Sequence, residues 1–314
     1  MRILIVGAGA LGGYFGGRLK EAGRDVTFLV RPRRAEQLAK TGLVIKSPNG
    51  DVNIPAPQTI LAEKLKAPFD LVLLSCKAYD LQSAMDSFVP AVGVNTAILP
   101  LLNGMKHMDV LAARFGAGAV LGGQCIISAT LDPEGRVLHL NDLHFLSFGE
   151  QSGAKSARTV AVAEAFAGAK FESQLSTAIL QEMWEKWAFI AAAAGICCLM
   201  RGAFGDIVAA GGGHYASDMF AECCAIAGKS GFPLRETARG RSIGMLTAAG
   251  SPIAASMLRD IERGAPIEAD HIVGDLLARG GDRPSDYPLL QIAFAHLRTY
   301  EARRKREQAS APGR

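Results

Sequence analysis

Three glycines near the start of the chain have the spacing of a phosphate-binding turn. Gly7, Gly9 and Gly12 form the pattern G-x-G-x-x-G directly after a short apolar run. In such a turn the first glycine permits the tight bend, the second lets the backbone approach a pyrophosphate, and the third lets the following helix pack closely. The anion lies at the helix amino terminus, where backbone N–H groups point towards it. We therefore predict a dinucleotide-binding turn made of Gly7, Ala8, Gly9, Ala10, Leu11 and Gly12.

A basic residue follows the second predicted strand. In enzymes that bind NAD, an acidic residue near this point bonds the ribose 2′-hydroxyl, whereas an arginine here accommodates the 2′-phosphate of NADP. The strand at residues 25–30 is followed by Arg31, and residues 29–34 contain no carboxylate. A guanidinium suits a phosphate by its charge and by the geometry of its donors. The sequence therefore favours NADP(H) over NAD(H), with Arg31 at the 2′-phosphate; the alternative is an ordinary solvated arginine.

Two further polar residues lie just past predicted strands. Lys77 follows Cys76, and Asn103 follows Leu102. Ligands of open parallel sheets bind beyond the carboxyl ends of the strands, so both residues could face the nicotinamide side of the cleft. The lysine would supply a charge for a carboxylate or carbonyl, and the asparagine would supply a hydrogen-bonding amide. By position alone, either could equally be a solvated loop residue.

The strongest candidates in the second half of the chain are a lysine and a glutamate. Lys186 stands between Trp184 and Trp187 at the head of an apolar helix. A lysine that is partly removed from water has a lowered pKa, which suits it to proton transfer near neutral pH. The alternative is a lysine that extends from a packed helix into solvent. Glu268 opens another predicted helix, where the alternative is an ordinary amino-terminal acid stabilised by the helix dipole.

The elements that must position these residues alternate in the first half of the chain. Short apolar runs predict strands, and the amphipathic stretches between them predict helices. The predicted strands cover residues 2–6, 25–30, 70–76 and 97–102, and the predicted helices cover residues 10–22, 33–40 and 81–88. Such alternation implies parallel pairing. Asn49-Gly50 between two apolar runs predicts a hairpin. Later segments predict strands at residues 120–130 and 137–149 and a helix at residues 156–167.

Beyond about residue 170 the pattern becomes helical. Helix-like stretches cover residues 176–200, 215–230, 252–262, 268–278 and 287–306. We therefore predict an α/β fold, in which a Rossmann-type doubly wound, mostly parallel sheet in residues 1–170 binds the cofactor. A smaller all-helical domain in residues 171–314 would carry the catalytic and substrate residues. We expect the tail from about residue 307 to be disordered.

Composition restricts the class of protein. Of 314 residues, 49% are apolar and 20% are charged, which is enough for two hydrophobic cores. A net charge of +4 without a dense basic stripe argues against a nucleic-acid surface. The six cysteines and six histidines lack ligand spacing, so we predict no metal and expect free thiols in a reducing cytoplasm. No export signal is evident, and the apolar run at residues 188–200 is too short to span a bilayer, so no membrane is predicted.

Five short motifs together resemble the ketopantoate reductase family, the NADPH-dependent 2-dehydropantoate 2-reductases. They are, in chain order, Gly7-Ala-Gly-Ala-Leu-Gly12, Cys76-Lys77-Ala78, Leu102-Asn103-Gly104-Met105, Trp184-Glu185-Lys186, and Ser256-Met257-Leu258-Arg259-Asp260-Ile261 followed by Glu268-Ala269-Asp270. The resemblance implies that NADPH reduces a 2-oxo acid. The expected reaction is 2-dehydropantoate (ketopantoate) to pantoate, in pantothenate biosynthesis.

The resemblance also implies a role for each matched residue. Lys186 would be the general acid that protonates the developing alkoxide, and Glu268 would help to orient the lysine, the substrate hydroxyl or the cofactor. Ser256 would bind the substrate, while Asn103 and Lys77 would line the cofactor side and contact the substrate. The chemistry agrees, because a ketone that becomes an alkoxide needs a nearby cation that can release a proton. A homodimer is possible by fold analogy alone.

The chain departs from the family pattern beside Lys186. The family commonly carries asparagines four and eight positions after this lysine, on the same helical face. Here those positions hold Ile190 and Ala194. Three hypotheses therefore stay open: a ketopantoate reductase, a related reductase for a less polar branched or aromatic oxo acid, and a non-catalytic NADP(H)-binding sensor. The presence of both Lys186 and Glu268 argues against the sensor.

Overall fold

A computed structural model describes residues 1–281 and 283–310 of the chain. The strands within these residues are β1 (Arg2–Val6), β2 (Asp25–Leu29), β3 (Leu43–Lys46), β4 (Val52–Ile54), β5 (Thr59–Ile60), β6 (Leu71–Leu74), β7 (Ala97–Pro100), β8 (Gly122–Leu131), β9 (Val137–Gly149) and β10 (Glu172–Leu175). The α-helices are α1 (Ala10–Glu21), α2 (Pro32–Thr41), α3 (Leu81–Phe88), α4 (Lys106–Phe115), α5 (Ala157–Phe166), α6 (Ile179–Met200), α7 (Phe204–Ala209), α8 (Gly213–Lys229), α9 (Glu236–Leu246), α10 (Ser256–Glu262), α11 (Asp275–Arg279) and α12 (Pro288–Ser310).

The first half of the chain is built on a parallel sheet. Its strands lie side by side in the order β5-β2-β1-β6-β7, and every neighbouring pair is parallel. Val6 at the end of β1 lies opposite Leu29 of β2 and Leu74 of β6. The chain winds outwards from β1 to β5 and then returns to β6 on the other side of β1. This doubly wound order confirms the predicted fold class, and its carboxyl edge beside β1 is where ligands of such sheets bind.

The predicted hairpin and the later strands form a second, mixed sheet. β3 and β4 pair antiparallel, which confirms the hairpin. β3 also pairs in parallel with β9, which in turn pairs antiparallel with β8 and parallel with β10. The sequence did not predict β10, because its residues are polar and mostly exposed and so carry no buried-strand pattern.

Helix α1 packs between the two sheets, and its glycines make this close packing possible. A Cβ added at Gly12 would lie 2.0 Å from the carbonyl oxygen of Gly7 in the glycine turn, and a Cβ at Gly16 would lie 2.6 Å from the ring of Phe28 on β2. A Cβ at Gly13 or Gly17 would lie 2.8 or 2.6 Å from side chains of the second sheet. Glycines four residues apart share one face of a helix, so two adjacent faces of α1 approach two different sheets.

The second half of the chain is helical, as predicted. Residues 191–198 of α6 are all buried, which is typical of the central helix of a helical core. A Cβ at Gly195 of α6 would lie 2.5 Å from the sulfur of Met219 on α8. The carboxylate of Glu222 on α8 accepts hydrogen bonds from the N–H groups of Leu289 (3.0 Å) and Leu290 (2.8 Å), which lie in the first turn of α12. Glu222 therefore satisfies N–H groups that a helix start leaves open.

The chain separates into two compact units. The Rossmann unit comprises Met1–Leu102 and His107–Leu180, and the helical unit comprises Asn103–Lys106 and the chain from Gln181 onwards. The division falls between residues 180 and 181, not between 170 and 171 as the sequence suggested, because β10 extends the second sheet of the Rossmann unit. The short turn at Asn103–Lys106 thus belongs to the same unit as most of α6.

The carboxyl-terminal helix is longer than the sequence suggested. α12 continues to Ser310, so the expected disorder from about residue 307 is wrong for residues 307–310. An ion pair one turn apart, from Arg303 to Glu307 at 3.5 Å, supports the helix in this region. The remaining predicted tail, residues 311–314, lies outside the described residues.

One described helix has the length and composition of a membrane span. It is Ile179–Met200, and 72% of its most apolar window is buried inside the protein. This helix is longer than the apolar run considered in the sequence, because it begins nine residues before Ala188. The core helix of a folded domain passes the same test, so the finding is weak evidence for a membrane.

Candidate functional site

The predicted glycine turn joins β1 to α1 at the carboxyl edge of the parallel sheet. Gly7 has a φ of 92°, in the left-handed region that favours glycine. Its N–H donates a 2.9 Å hydrogen bond to the carbonyl of Leu29, which holds the turn against the end of β2. Within the described chain no side chain caps the start of α1, so its first N–H groups are available to an anion. A Cβ added at Gly9 would meet no atom within 4 Å, so the space beside it is open.

Two side chains that sequence reasoning missed hold the carbonyl groups of this turn. The hydroxyl of Ser75 donates to the carbonyls of Val6 (3.0 Å) and Gly7 (3.3 Å). Nε of Arg34 donates to the carbonyl of Ala8 at 3.0 Å. These hydrogen bonds stabilise the conformation of the turn. Arg34 lies three residues after Arg31, in the stretch 29–34 that lacks carboxylates, but nothing in the sequence pointed to Ser75.

The residues around the turn fit the pyrophosphate of a dinucleotide. Besides the open space at Gly9 and the uncapped start of α1, Arg34 has a buried Nη2 that lacks a hydrogen-bond partner among the described residues. Burial lowers the pKa of Arg34. An anion that reached this N–H would supply the acceptor it lacks and so recover the free-energy cost of burying it. In the described part of the chain, no cluster of three or more His, Cys, Asp or Glu side chains could hold a metal ion.

Arg31 and Lys77 lie at the same edge of the parallel sheet. Arg31 follows β2 and Lys77 follows β6, and both side chains are exposed. Nη2 of Arg31 forms a 2.7 Å ion pair with Asp80 and a 3.3 Å hydrogen bond with Ser83. The hydrogen bond that Arg31 donates to Asp80 raises the pKa of Arg31, so the guanidinium stays charged. The N–H of Asp80 donates to the carbonyl of Lys77 at 2.9 Å, so one short turn connects the two predicted cofactor residues.

In the helical unit, Lys186 lies on α6 and is half-buried. The two tryptophans that flank it in sequence share another face of the helix, with ring centroids 4.8 Å apart and both rings buried. Nε1 of Trp187 donates a 2.8 Å hydrogen bond to the carbonyl of Ile272. The guanidinium of Arg279 lies 5.8 Å from the ring centre of Trp184 and 5.6 Å from that of Trp187. The tryptophans thus anchor the helical turn that presents Lys186.

Glu268 lies just before a π-helical turn, Asp270–Gly274. Its side chain is half-buried, and its carbonyl accepts a 2.9 Å hydrogen bond from the N–H of Ile272. The predicted helix at residues 268–278 is therefore present but starts with this wider turn. Asp270, the other acidic residue of the motif, is exposed and pairs with Arg298 on α12 at 2.7 Å. The two acids therefore differ: Asp270 forms a surface ion pair, whereas Glu268 is half-buried.

Asn103 and Gly104 form a turn that packs against the same π-helical segment. Gly104 has a φ of 84°, and a Cβ there would lie 3.0 Å from the carbonyl oxygen of His271. The imidazole of His271 hydrogen-bonds the backbone of Asn103. Together with the bond from Trp187 to Ile272, this contact connects the elements that carry Asn103, Lys186 and Glu268 within the helical unit.

Ser256 is exposed and begins α10. The thiol of Cys197 on α6 hydrogen-bonds the backbone of the residue before Ser256, and burial raises the pKa of this thiol to about 11. Cys197 lies about three helical turns after Lys186 on the same side of α6. Ile190 (half-buried) and Ala194 (4% exposed) lie between them. An apolar stripe on α6 therefore runs from Lys186 towards the element that carries Ser256.

Glu185, next to Lys186, anchors the start of α9 and was missed by sequence reasoning. It is 8% exposed and accepts hydrogen bonds from Arg235 through the backbone N–H (3.1 Å), Nε (2.7 Å) and Nη2 (2.6 Å). Nε2 of Gln181 adds a fourth, at 3.1 Å. Burial raises the pKa of Glu185, but the hydrogen bonds from Arg235 and Gln181 outweigh burial and hold the pKa below its ordinary value.

Both halves of the chain match one protein family. The family model described as "Ketopantoate reductase PanE/ApbA" matches residues 3–153, and the model "Ketopantoate reductase PanE/ApbA C terminal" matches residues 178–301. Together these matches cover most of the Rossmann unit and most of the helical unit.

Similar proteins agree with this assignment. The "Uncharacterized oxidoreductase YkpB" of Bacillus subtilis (strain 168) is 41% identical over 303 residues, which cover 96% of this chain and 99% of that protein. The crystal structure of a 2-dehydropantoate 2-reductase from Geobacter metallireducens GS-15 has a TM-score of 0.85 and 29% identity, and the match covers 95% of this chain and 99% of that one. D-mandelate dehydrogenase, solved with NADH and anilino(oxo)acetate, shares the fold at a TM-score of 0.85 and 20% identity, over 97% of this chain and 100% of that one. This chain therefore belongs to the ketopantoate reductase PanE/ApbA family of oxidoreductases.

Proposed function

We propose that this oxidoreductase uses NADPH to reduce a 2-oxo acid to the 2-hydroxy acid. The observation that supports this most is the connection, within the helical unit, of the elements that carry Lys186, Asn103 and Glu268. These elements supply an ammonium, an amide and a carboxylate. Such groups can bind a 2-oxo acid, stabilise negative charge on its ketone oxygen and protonate that oxygen.

Lys186 is the proposed proton donor. When bound, NADPH supplies the hydride that the carbonyl carbon accepts. The ammonium of Lys186 stabilises the negative charge that develops on the ketone oxygen and then transfers its proton to that oxygen, which becomes the hydroxyl. Glu268 orients the ammonium, Asn103 hydrogen-bonds on the cofactor side, and Lys77 and Ser256 are further proposed substrate contacts. Solvent returns the proton to Lys186.

The proposed cofactor preference is for NADP(H) over NAD(H), and Arg31 supports it. This guanidinium stays charged and exposed at the carboxyl end of β2, where the 2′ position of the ribose binds in such folds. The carboxylate on β2, Asp25, stands at the opposite end of the strand and so cannot bond the ribose there. The structure of D-mandelate dehydrogenase contains NADH, so we assign the preference to Arg31 and not to the fold.

The leading substrate is ketopantoate, reduced to pantoate in pantothenate biosynthesis. Membership of the ketopantoate reductase family supports this choice. The alternative is a less polar 2-oxo acid, and the stripe of Ile190 and Ala194 beside Lys186 favours it. Neither side chain offers a hydrogen bond to a substrate hydroxyl, whereas an apolar substrate group would bury area against the half-exposed side chain of Ile190. D-mandelate dehydrogenase was solved with an aromatic oxo acid derivative, anilino(oxo)acetate, in the same fold.

The loss of NADPH absorbance in the presence of ketopantoate, compared with branched and aromatic 2-oxo acids, tests the proposal. The ratio of kcat/KM between ketopantoate and each analogue decides between the two substrates. A matched variant, Ile190→Asn with Ala194→Asn, should shift that ratio towards ketopantoate if the stripe selects the substrate. Tight NADPH binding without turnover of any oxo acid would instead support an NADP(H) sensor. A homodimer is a separate proposal, which light scattering on the purified protein tests.

A further inference from the structure

The π-helical turn contains a buried histidine that the proposed reaction does not use. His271 is 7% exposed and lies three residues after Glu268. The turn is closed by a hydrogen bond from the N–H of Asp275 to the carbonyl of Asp270, five residues apart. Such turns are rare and occur frequently at functional sites.

His271 is in contact with the turn that carries Asn103. Its ring hydrogen-bonds the backbone of Asn103, and because this bond raises the pKa of the imidazole, the ring N–H donates to a carbonyl. A Cβ added at Gly104 would lie 3.1 Å from Cδ2 and 3.4 Å from Nε2 of the ring. The positive φ of Gly104 favours glycine there, and any side chain at this position would press against His271.

Charged groups on two elements act on His271: its own segment and the start of α4. Glu268 and Asp275 lie on its own segment, and Lys106 lies at the start of α4. Burial lowers the pKa of His271, and Lys106 lowers it further, while the two carboxylates and the bond to Asn103 raise it; burial prevails. The imidazole is therefore neutral at physiological pH, so one ring nitrogen is a donor and the other an acceptor.

A second hydrogen bond, through the residue after His271, also holds the π-helical segment. The carbonyl of Ile272, the residue after His271, accepts the indole N–H of Trp187, which is itself the residue after Lys186. The segment is thus bonded to the Asn103 turn through one residue and to α6 through the next. The bond from Trp187 to Ile272 is buried, so water does not compete for its donor.

We infer that His271 is a positioning residue of the proposed site. Its ring fixes the Asn103–Gly104 turn relative to Glu268 and Lys186, so that the asparagine amide is held in place before substrate binds. This inference rests on the proposed function, because it assigns Asn103 and Glu268 to one site. Catalytic groups held by neighbouring bonds keep the geometry that the transition state requires, and a displacement of about 1 Å can cost about a hundredfold in rate.

The test compares His271→Phe, which fills similar space without a donor, with His271→Asn and His271→Gln, which keep an amide donor but cannot become cationic. We expect His271→Phe to lower kcat/KM for the best oxo acid by roughly tenfold or more, and at least one amide variant to recover most of it. In the Asn103→Ala background, His271→Phe should have little further effect, because residues that act through one another are not additive. Full additivity of the two losses would overturn the inference.

A control and a second readout separate this inference from the proposed function. His139→Phe removes another buried histidine, 5% exposed and bonded to Ser47 and to the carbonyl of Leu143 in the Rossmann unit, and should leave kcat/KM unchanged. Hydrogen exchange of residues 101–106 should accelerate in His271→Phe and stay slow in the rescuing amide variant. If the wild type reduces no oxo acid, the proposed function fails, but the exchange result still decides the positioning role. Unchanged exchange in His271→Phe contradicts the inference.

Discussion

The indole N–H of Trp187 donates a 2.8 Å hydrogen bond to the backbone carbonyl of Ile272, and both residues are buried. This bond connects α6 to the π-helical turn. It joins the residue after Lys186 to the segment that follows Glu268. Because a buried carbonyl that loses its donor costs about 1–3 kcal/mol, the bond favours one relative placement of the two elements. The proposed proton donor and its orienting carboxylate therefore lie on elements that are connected by a buried hydrogen bond.

Replacement of Lys186 by alanine should abolish most turnover while leaving NADPH binding nearly intact. Loss of a general acid typically lowers the rate by about 10²- to 10⁴-fold. Oxo acid reduction measures kcat, and fluorescence titration measures the dissociation constant for NADPH. Lys229→Ala, an exposed lysine on α8, is the matched control and should keep its rate. A rate near that of the wild type in Lys186→Ala would exclude this lysine as the proton donor.

Replacement of Arg31 by alanine should weaken NADPH far more than NADH. The loss of charged hydrogen bonds to a 2′-phosphate should raise the dissociation constant for NADPH by roughly tenfold or more. Isothermal titration with each nucleotide gives the ratio. Arg33→Ala, the exposed arginine two residues later, should change neither value by much. Equal losses for the two nucleotides in Arg31→Ala would mean that this arginine does not contact the 2′-phosphate.

Gly12→Ala should destabilise the protein and impair cofactor binding. The new Cβ would lie 2.0 Å from the carbonyl oxygen of Gly7 and 2.3 Å from Oγ of Ser75, so α1 or the turn must move. Such overpacking typically costs about 1–3 kcal/mol. The control is Gly228→Ala on α8, where an added Cβ would meet no atom within 4 Å. This substitution should stabilise the helix by about 0.5–1 kcal/mol. Denaturant unfolding measures both changes, and an unaltered midpoint for Gly12→Ala would contradict the packing described for α1.

The stability that Glu185 contributes should depend on pH. Its pKa in the folded protein lies below the ordinary value of 4.5, so the unfolded state binds this proton more readily. The contribution is therefore present in full above about pH 4.5 and is lost as the pH falls through the lowered pKa. Glu185→Gln should lower the free energy of unfolding by about 1–3 kcal/mol at neutral pH, and the difference should shrink in acid.

The exposed pair of Asp270 with Arg298 serves as the reference for this measurement. Both side chains are at least half exposed, so Asp270→Asn should change the free energy of unfolding by less than about 1 kcal/mol. Urea titrations of the two variants and the wild type across the acid range measure the effect. A constant difference between wild type and Glu185→Gln at all pH values would show that the ionised carboxylate is not the stabilising form.

The glycine turn, the doubly wound sheet and the helical second half could all be predicted from the sequence. Each depends on local information. Glycine spacing directly after an apolar run specifies the turn at residues 7–12, and alternating strand and helix patterns specify parallel pairing. The roles expected of Lys186, Glu268, Asn103 and Arg31 remain predictions, which the variants above test.

Other features depend on which distant residues meet, and no local pattern contains that information. The second sheet brings β3 against β9, and the polar strand β10 joins it without an apolar pattern of its own. Asn103 joins the helical unit, although the residues before and after its short turn belong to the Rossmann unit. The bonds from His271 to Asn103 and from Arg235 to Glu185 join residues far apart in the chain. A buried donor or acceptor must find a partner somewhere, but only the packing of the tertiary structure decides which one.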